Sequence, residues 1–164
     1  MSERAATLAT NLEAANGEVI AFAEGCPADR WTVPCVDDGR TVAAVARHVG
    51  GAYSAHRQMI LAIAAAETMP AMFTDWDAIH QGNAISAAKY ANADRGETVE
   101  SLRRNGANLA AAIRALTDEQ LDRTVPVSIF SDRPLSVEQV VANIVVEHPR
   151  GHLVGLRATV ADKR

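Results

Sequence analysis

Residues 41–63 read TVAAVARHVGGAYSAHRQMILAI. Within this stretch Val42, Val45, Val49, Ala52, His56, Met59 and Ile63 alternate steps of three and four without a miss. That spacing stacks side chains on one face of an α-helix, and Thr41 supplies the N-cap that starts it. His56 falls on the apolar stripe. His48, three residues after Val45 and four before Ala52, sits at its edge.

Working outward, the same period recurs. A first helix is predicted over residues 3–23, carried by Leu8, Leu12, Ala15, Val19 and Phe22. Gly25, Pro27 and Pro34 then break the pattern, and Trp31 is expected to anchor this connection on the helices. After the Met69-Pro70 break a third helix is predicted over residues 76–91, with His80, Asn83 and Tyr90. Gly96 is read as an interruption before a fourth helix over residues 97–116, with Val99, Leu102, Leu109, Ile113 and Leu116 on one face. Gly106 lies on that face and permits a neighbour to approach closely. Between Thr117 and Pro134 the pattern changes to turns, with a short extended piece at residues 125–130. Ser136 and Gln139 form a capping box opening the last long helix, whose stripe runs through Val137, Val141, Ile144 and His148.

These elements define an all-α chain. Its 164 residues suffice for one domain with a core, expected to span 1–164. With 48% hydrophobic, 22% charged and only 4% aromatic residues, the helices are expected to pack closely through small side chains. The 16 basic and 20 acidic residues are mixed along the chain, so no basic stripe points to nucleic acid. No run approaches the ~18 apolar residues that span a bilayer, and Met1-Ser2-Glu3-Arg4 does not read as a signal peptide. The expected location is the cytoplasm. Cys26 and Cys35 are then read as free thiols without a role.

The chemistry-bearing residues are the histidines. His148 and His152 are one helical turn apart, so both can point at one ion, and His48 is a third imidazole on another predicted helix. Neutral imidazole suits zinc, nickel, copper or iron, and three protein ligands with an open position are typical of catalytic zinc. The metalloprotease pattern His-Glu-x-x-His is excluded, because Pro149 occupies the glutamate slot. Glu147 points about 100° away from His148. Pro149 and Gly151 cost about 3 and about 1 kcal/mol inside a helix, so a kink is expected between the two histidines.

The segments Trp31-Thr32-Val33, Ala46-Arg47-His48-Val49 and Glu147-His148-Pro149-Arg150-Gly151-His152-Leu153 resemble those of the DinB/YfiT-like superfamily. His80-Gln81-Gly82-Asn83-Ala84 and Ala115-Leu116-Thr117-Asp118-Glu119-Gln120-Leu121 look like its third and fourth helices, so the resemblance covers nearly the whole chain. It implies a four-helix bundle of the up-down-down-up type, with His48, His148 and His152 as metal ligands. Within the superfamily the chain is similar to the N-terminal domain of the mycothiol-dependent maleylpyruvate isomerase branch. It differs in carrying His148 where that branch uses glutamate, and it is expected to lack that branch's additional C-terminal domain.

What the resemblance implies is an enzyme with a divalent metal, zinc first and nickel or iron as alternatives. The ion activates mycothiol or another low-molecular-weight thiol for S-transfer to, or isomerisation of, a small electrophile. The alternatives are a metal-dependent hydrolase and a non-catalytic bundle that binds a metal or ligand. Candidate catalytic residues are His56 as a proton carrier or support for the ligands, Asn83 as a substrate-orienting group, and Arg150 facing an anion. His80 is read as a surface residue. Expected partners are a small-molecule substrate and, through an exposed helix face, a second copy of the chain; nucleic acid and membrane are not expected.

Overall fold

The computed structural model describes residues 2–37, 39–66, 69–127 and 129–162. Four long helical elements pack around one apolar core. They are α1 (Glu3–Gly25), α2 (Val42–Ala64), α4 (Arg95–Arg114) and a composite last helix ending in α7 (Glu147–Ala161). A further helix, α3 (Trp76–Lys89), contributes no buried residue and packs on α2 outside this core. The short α5 (Asp118–Asp122) precedes a two-stranded antiparallel ladder, in which β1 (Thr124–Val125) pairs with β2 (Leu135–Ser136).

Side-chain pairings give the direction of each helix. Glu13 meets Arg114 while Glu24 meets Arg103, so α1 and α4 run antiparallel. Arg47 bonds Ser101, and Tyr53 lies farther along both helices beside Gly106, so α2 and α4 are parallel. Arg4 meets Glu138 and Glu18 meets Arg157, so α1 and the last helix are parallel. Taken in chain order, this is an up-down-down-up four-helix bundle.

Each helix starts where a side chain satisfies the first free backbone N–H groups. Thr41 Oγ1 accepts from Ala44 N, and Ser136 and Gln139 complete their capping box. The close packing comes from glycine. A Cβ at Gly50 would stand 3.0 Å from Ser101 Oγ and 3.2 Å from Leu102 N, and one at Gly106 would overlap the Asn16 amide. Trp31 is buried and donates to Ala93 O at 2.7 Å, tying the α1–α2 connection to the start of α4. Cys26 and Cys35 are buried and form no disulfide.

Four sequence expectations need correction. The fourth helix starts at Arg95 rather than after Gly96, because Asp94 caps it by accepting from Glu97 N, and the cap outweighs glycine's weak propensity. The third helix ends at Lys89 rather than residue 91. The extended piece at 125–130 is confined to Thr124–Val125: beyond it the N–H groups of Phe130 and Ser131 both turn back to Val127 O, and Ser128 lies outside the described residues. The last helix is not uniform. A four-residue α6 (Val137–Val140) passes into a π-helical segment, Val141–Val146, before α7. Pro149 gives the physical reason: it cannot donate to the preceding turn, and its ring would press on the carbonyl of Val145, so the expected distortion falls on the turn just before the histidine pair.

Candidate metal centre and cavity

The seam between α2 and the last helix brings the three predicted imidazoles together. His48, on the edge of the α2 stripe, has Nε2 3.1 Å from Nε2 of His148. The His152 ring lies 5.0 Å from that of His48 and 4.7 Å from that of His148. One nitrogen from each of the three falls within 4.8 Å of the others. The i,i+4 geometry of the pair survives because the irregular backbone lies before Glu147 and α7 is regular through both residues.

The donor set fits a divalent ion. In a tetrahedral zinc site with bonds near 2.0–2.1 Å, ligand nitrogens stand about 3.3 Å apart, close to the His48–His148 separation. His148 is half-buried in packed surroundings, and that desolvation, with the nearby His56, His152, His48 and Arg40, holds its imidazole well below the ordinary value of 6.5. It is therefore neutral, and able to ligate, at neutral pH.

Above the cluster lies a cavity of about 750 Å³. His56 is buried in its inner wall, 6% exposed, its ring edge-on to His148 at 5.0 Å and stacked on Phe73 at 6.0 Å. Burial pushes its imidazole down to about 4, and its Nδ1 is buried without a hydrogen-bond partner. Asn83 also lines the cavity, from α3. Arg150 does not: it pairs with Glu147 at 2.6 Å on the exposed side of α7. His80 is exposed beside Trp76.

Sequence reasoning did not single out Arg40, Arg47, Phe73 or Phe130 as cavity residues. For Arg47 there was a faint local signal, its place beside His48 in Ala46-Arg47-His48-Val49. Its role emerges only when α3 brings Tyr90 over it, 4.8 Å from guanidinium carbon to ring centre.

An up-down-down-up bundle with three imidazoles gathered at one helix seam, open to a cavity, is a helical bundle whose side-chain cluster can hold a metal ion. Residues 11–154 match the family model of the DinB superfamily, and the chain belongs to that superfamily. Two solved structures share the fold. The mycothiol-dependent maleylpyruvate isomerase superposes with a TM-score of 0.73 at 13% identity, over 95% of this chain and 63% of that one. This chain thus spans less than two thirds of the isomerase. YfiT from Bacillus subtilis, described as a probable metal-dependent hydrolase with an unusual four-helix bundle topology, superposes with a TM-score of 0.73 at 17% identity, over 97% of this chain and 87% of that one. No curated protein matches the sequence. No helix of the described residues is long and apolar enough to cross a membrane.

Proposed function

We propose that the chain is a single-domain cytoplasmic enzyme in which His48, His148 and His152 hold a divalent metal, zinc first among the candidates, and a low-molecular-weight thiol such as mycothiol reacts with a small electrophile. The observation that carries this reading is the set of three ring nitrogens within 4.8 Å at the base of a cavity large enough for two small reactants. A bound ion supplies Lewis acidity, lowering the pKa of a thiol or water so that it is a nucleophile near pH 7.

The chain's own residues complete the site. Three uncharged ligands leave the positive charge of an ion undiminished, which favours an anionic nucleophile. Phe73, Met72 and Trp76 give one side of the cavity apolar surface. Asn83 offers both a donor and an acceptor to a substrate. A hydrolase reading uses the same ligands with water as the nucleophile. It is supported by the more complete match to YfiT, whose chain is covered over 87% of its length.

The test has two stages. Elemental mass spectrometry on tag-free protein should find about one equivalent of metal, and His148→Ala should lose it. Metal-loaded protein is then offered electrophiles with and without mycothiol: consumption only with thiol supports transfer or isomerisation, and turnover without thiol supports hydrolysis. Absence of metal after reconstitution with zinc, nickel and iron would sink both.

A further inference from the structure

The cavity is chemically graded from end to end. α2 and α3 cross it in opposite directions: the start of α2 meets the end of α3, where Arg47 lies over Tyr90 and Thr41 Oγ1 donates to Ala91 O, while His56, further along α2, stacks on Phe73 just before α3. Arg40, Arg47, Asn105, Ser86 and Tyr90 line the first end; Phe73, Trp76, Ile79 and Phe130 line the other. Nine residues separate Arg47 from His56, about 13 Å along a helix. His48 and His148 lie between the two ends.

The first end is cationic. No aspartate or glutamate is among the described residues lining the cavity, although the chain as a whole carries a net charge of −4. Arg47 is half-buried; one amino group donates to Ser101 Oγ at 2.6 Å and its face rests on Tyr90. Both neighbours are neutral, and both fix the guanidinium in place. A guanidinium carries five N–H donors in a planar fork that matches a carboxylate, so most of them remain for a ligand. The imidazoles carry no negative charge that would offset it.

We propose that the substrate is a small amphiphilic organic acid, its carboxylate held by Arg47 at the polar end and its apolar or aryl body held among Phe73, Trp76 and Phe130. Arg47 is then the residue that sets specificity for an anion. This assignment rests on the reading of the three histidines as the reacting centre, since it places the substrate across them, but the recognition itself depends on Arg47 and can be measured without turnover.

The experiment is calorimetric titration with 3-phenylpropanoate, its neutral amide 3-phenylpropanamide, and propanoate, on protein as isolated and after chelator treatment. The acid is expected to bind about tenfold to a hundredfold tighter than the amide, the range of a charge-assisted hydrogen bond. Arg47→Gln should bring acid and amide within about twofold of each other, Arg47→Lys should retain part of the preference, and propanoate should bind more weakly than its phenyl counterpart. Both variants are compared at matched melting temperature and metal content, so a folding defect is visible as such. Equal binding of acid and amide overturns the proposal, as does a preference that survives Arg47→Gln. A preference that vanishes on chelation but ignores Arg47→Gln also overturns it, because the carboxylate then sits on the metal. Equal binding of propanoate and 3-phenylpropanoate overturns the apolar end. An Arg47-dependent preference in protein that never holds metal would support this recognition while removing the catalytic reading above.

Discussion

His48 and His148 face each other Nε2 to Nε2 at 3.1 Å across the seam between α2 and α7. Without an ion, one ring donates to the other in a single hydrogen bond; with an ion, both nitrogens are unprotonated and turn their lone pairs to it. Zinc should therefore raise the melting temperature of chelator-treated protein in proportion to RT ln(1 + [Zn]/Kd). Replacing His48, His148 or His152 by alanine should each abolish that shift, with affinity falling by more than the about tenfold to hundredfold typical of outer partners. Scanning calorimetry with and without zinc checks this, and a shift that survives in any of the three variants would remove that residue from the ligand set.

The π-helical segment Val141–Val146 leads directly into α7, which carries His148 and His152. Pro149 sits in the first turn of α7 and denies the preceding turn a donor. Pro149→Ala supplies that donor and lets the last helix become regular. Zinc affinity is expected to fall about tenfold although all three imidazoles are retained, while amide exchange across 141–146 slows. Unchanged affinity with slowed exchange would show that the irregular backbone does not position the site.

The parts of the fold visible in the sequence are those set by local chemistry. The Thr41 cap, the stripe from Val42 to Ile63 and the Ser136/Gln139 capping box all depend on residues within a few turns of each other, and each stands where its pattern places it. The histidine cluster was legible for the same reason on one side, the spacing of His148 and His152. Arg47 was not, because a lone arginine beside a helix stripe is ordinarily a solvated residue; what changes its meaning is Tyr90, just past the end of a helix that contributes nothing to the core. The π-helical segment was hidden too. Val137, Val141, Ile144 and His148 keep helical spacing on paper, and only the backbone response to Pro149 breaks it.

Glycine spacing makes a paired prediction. A methyl at Gly106 would strike Asn16, whose Nδ2 donates to Leu102 O at 3.1 Å inside the α1–α4 contact, so the side chain cannot yield without losing that bond. Gly17, in the middle of α1, has nothing within 4 Å of its notional Cβ. Denaturant unfolding should find Gly106→Ala destabilised by about 1–3 kcal/mol and Gly17→Ala stabilised by about 0.5–1 kcal/mol. Equal effects at the two positions would mean that the contact adjusts freely.

At the far end of the bundle Arg4 ties α1 to α5 and α6. It is 2.7 Å from Glu138, 2.8 Å from Asp122 and 4.0 Å from Asp118. The hydrogen bond from Arg4 holds the Glu138 carboxyl below its ordinary value of 4.5. A carboxyl depressed by folding contributes stability above its unfolded value, and the contribution fades as pH falls through the folded one. The melting temperature of Glu138→Gln should therefore lie slightly below that of the parent at pH 7, and the gap should close as pH is lowered below 4.5. The pair is exposed and screened, so 0.5 M salt should shrink the gap as well. A gap independent of both pH and salt would show that the glutamate acts by packing.

His56 is the sharpest conflict between stability and use in this molecule. It lies on the core stripe of α2, where an apolar side chain would serve the fold better, yet it keeps a buried ring nitrogen with no partner. Leaving a buried polar group unsatisfied costs about 1–3 kcal/mol. A ring of similar shape without nitrogens removes that cost and keeps the stacking on Phe73 and the edge contact with His148. His56→Phe is therefore expected to stabilise metal-free protein by about 1 kcal/mol or more while lowering turnover or metal affinity, the trade typical of a residue kept for function. Denaturant unfolding and zinc titration of the same variant measure both sides. If the variant is more stable and equally active, the imidazole is a core residue only. If it is less stable in the metal-free form, the nitrogen contributes to the fold, and the argument from an unsatisfied buried nitrogen fails.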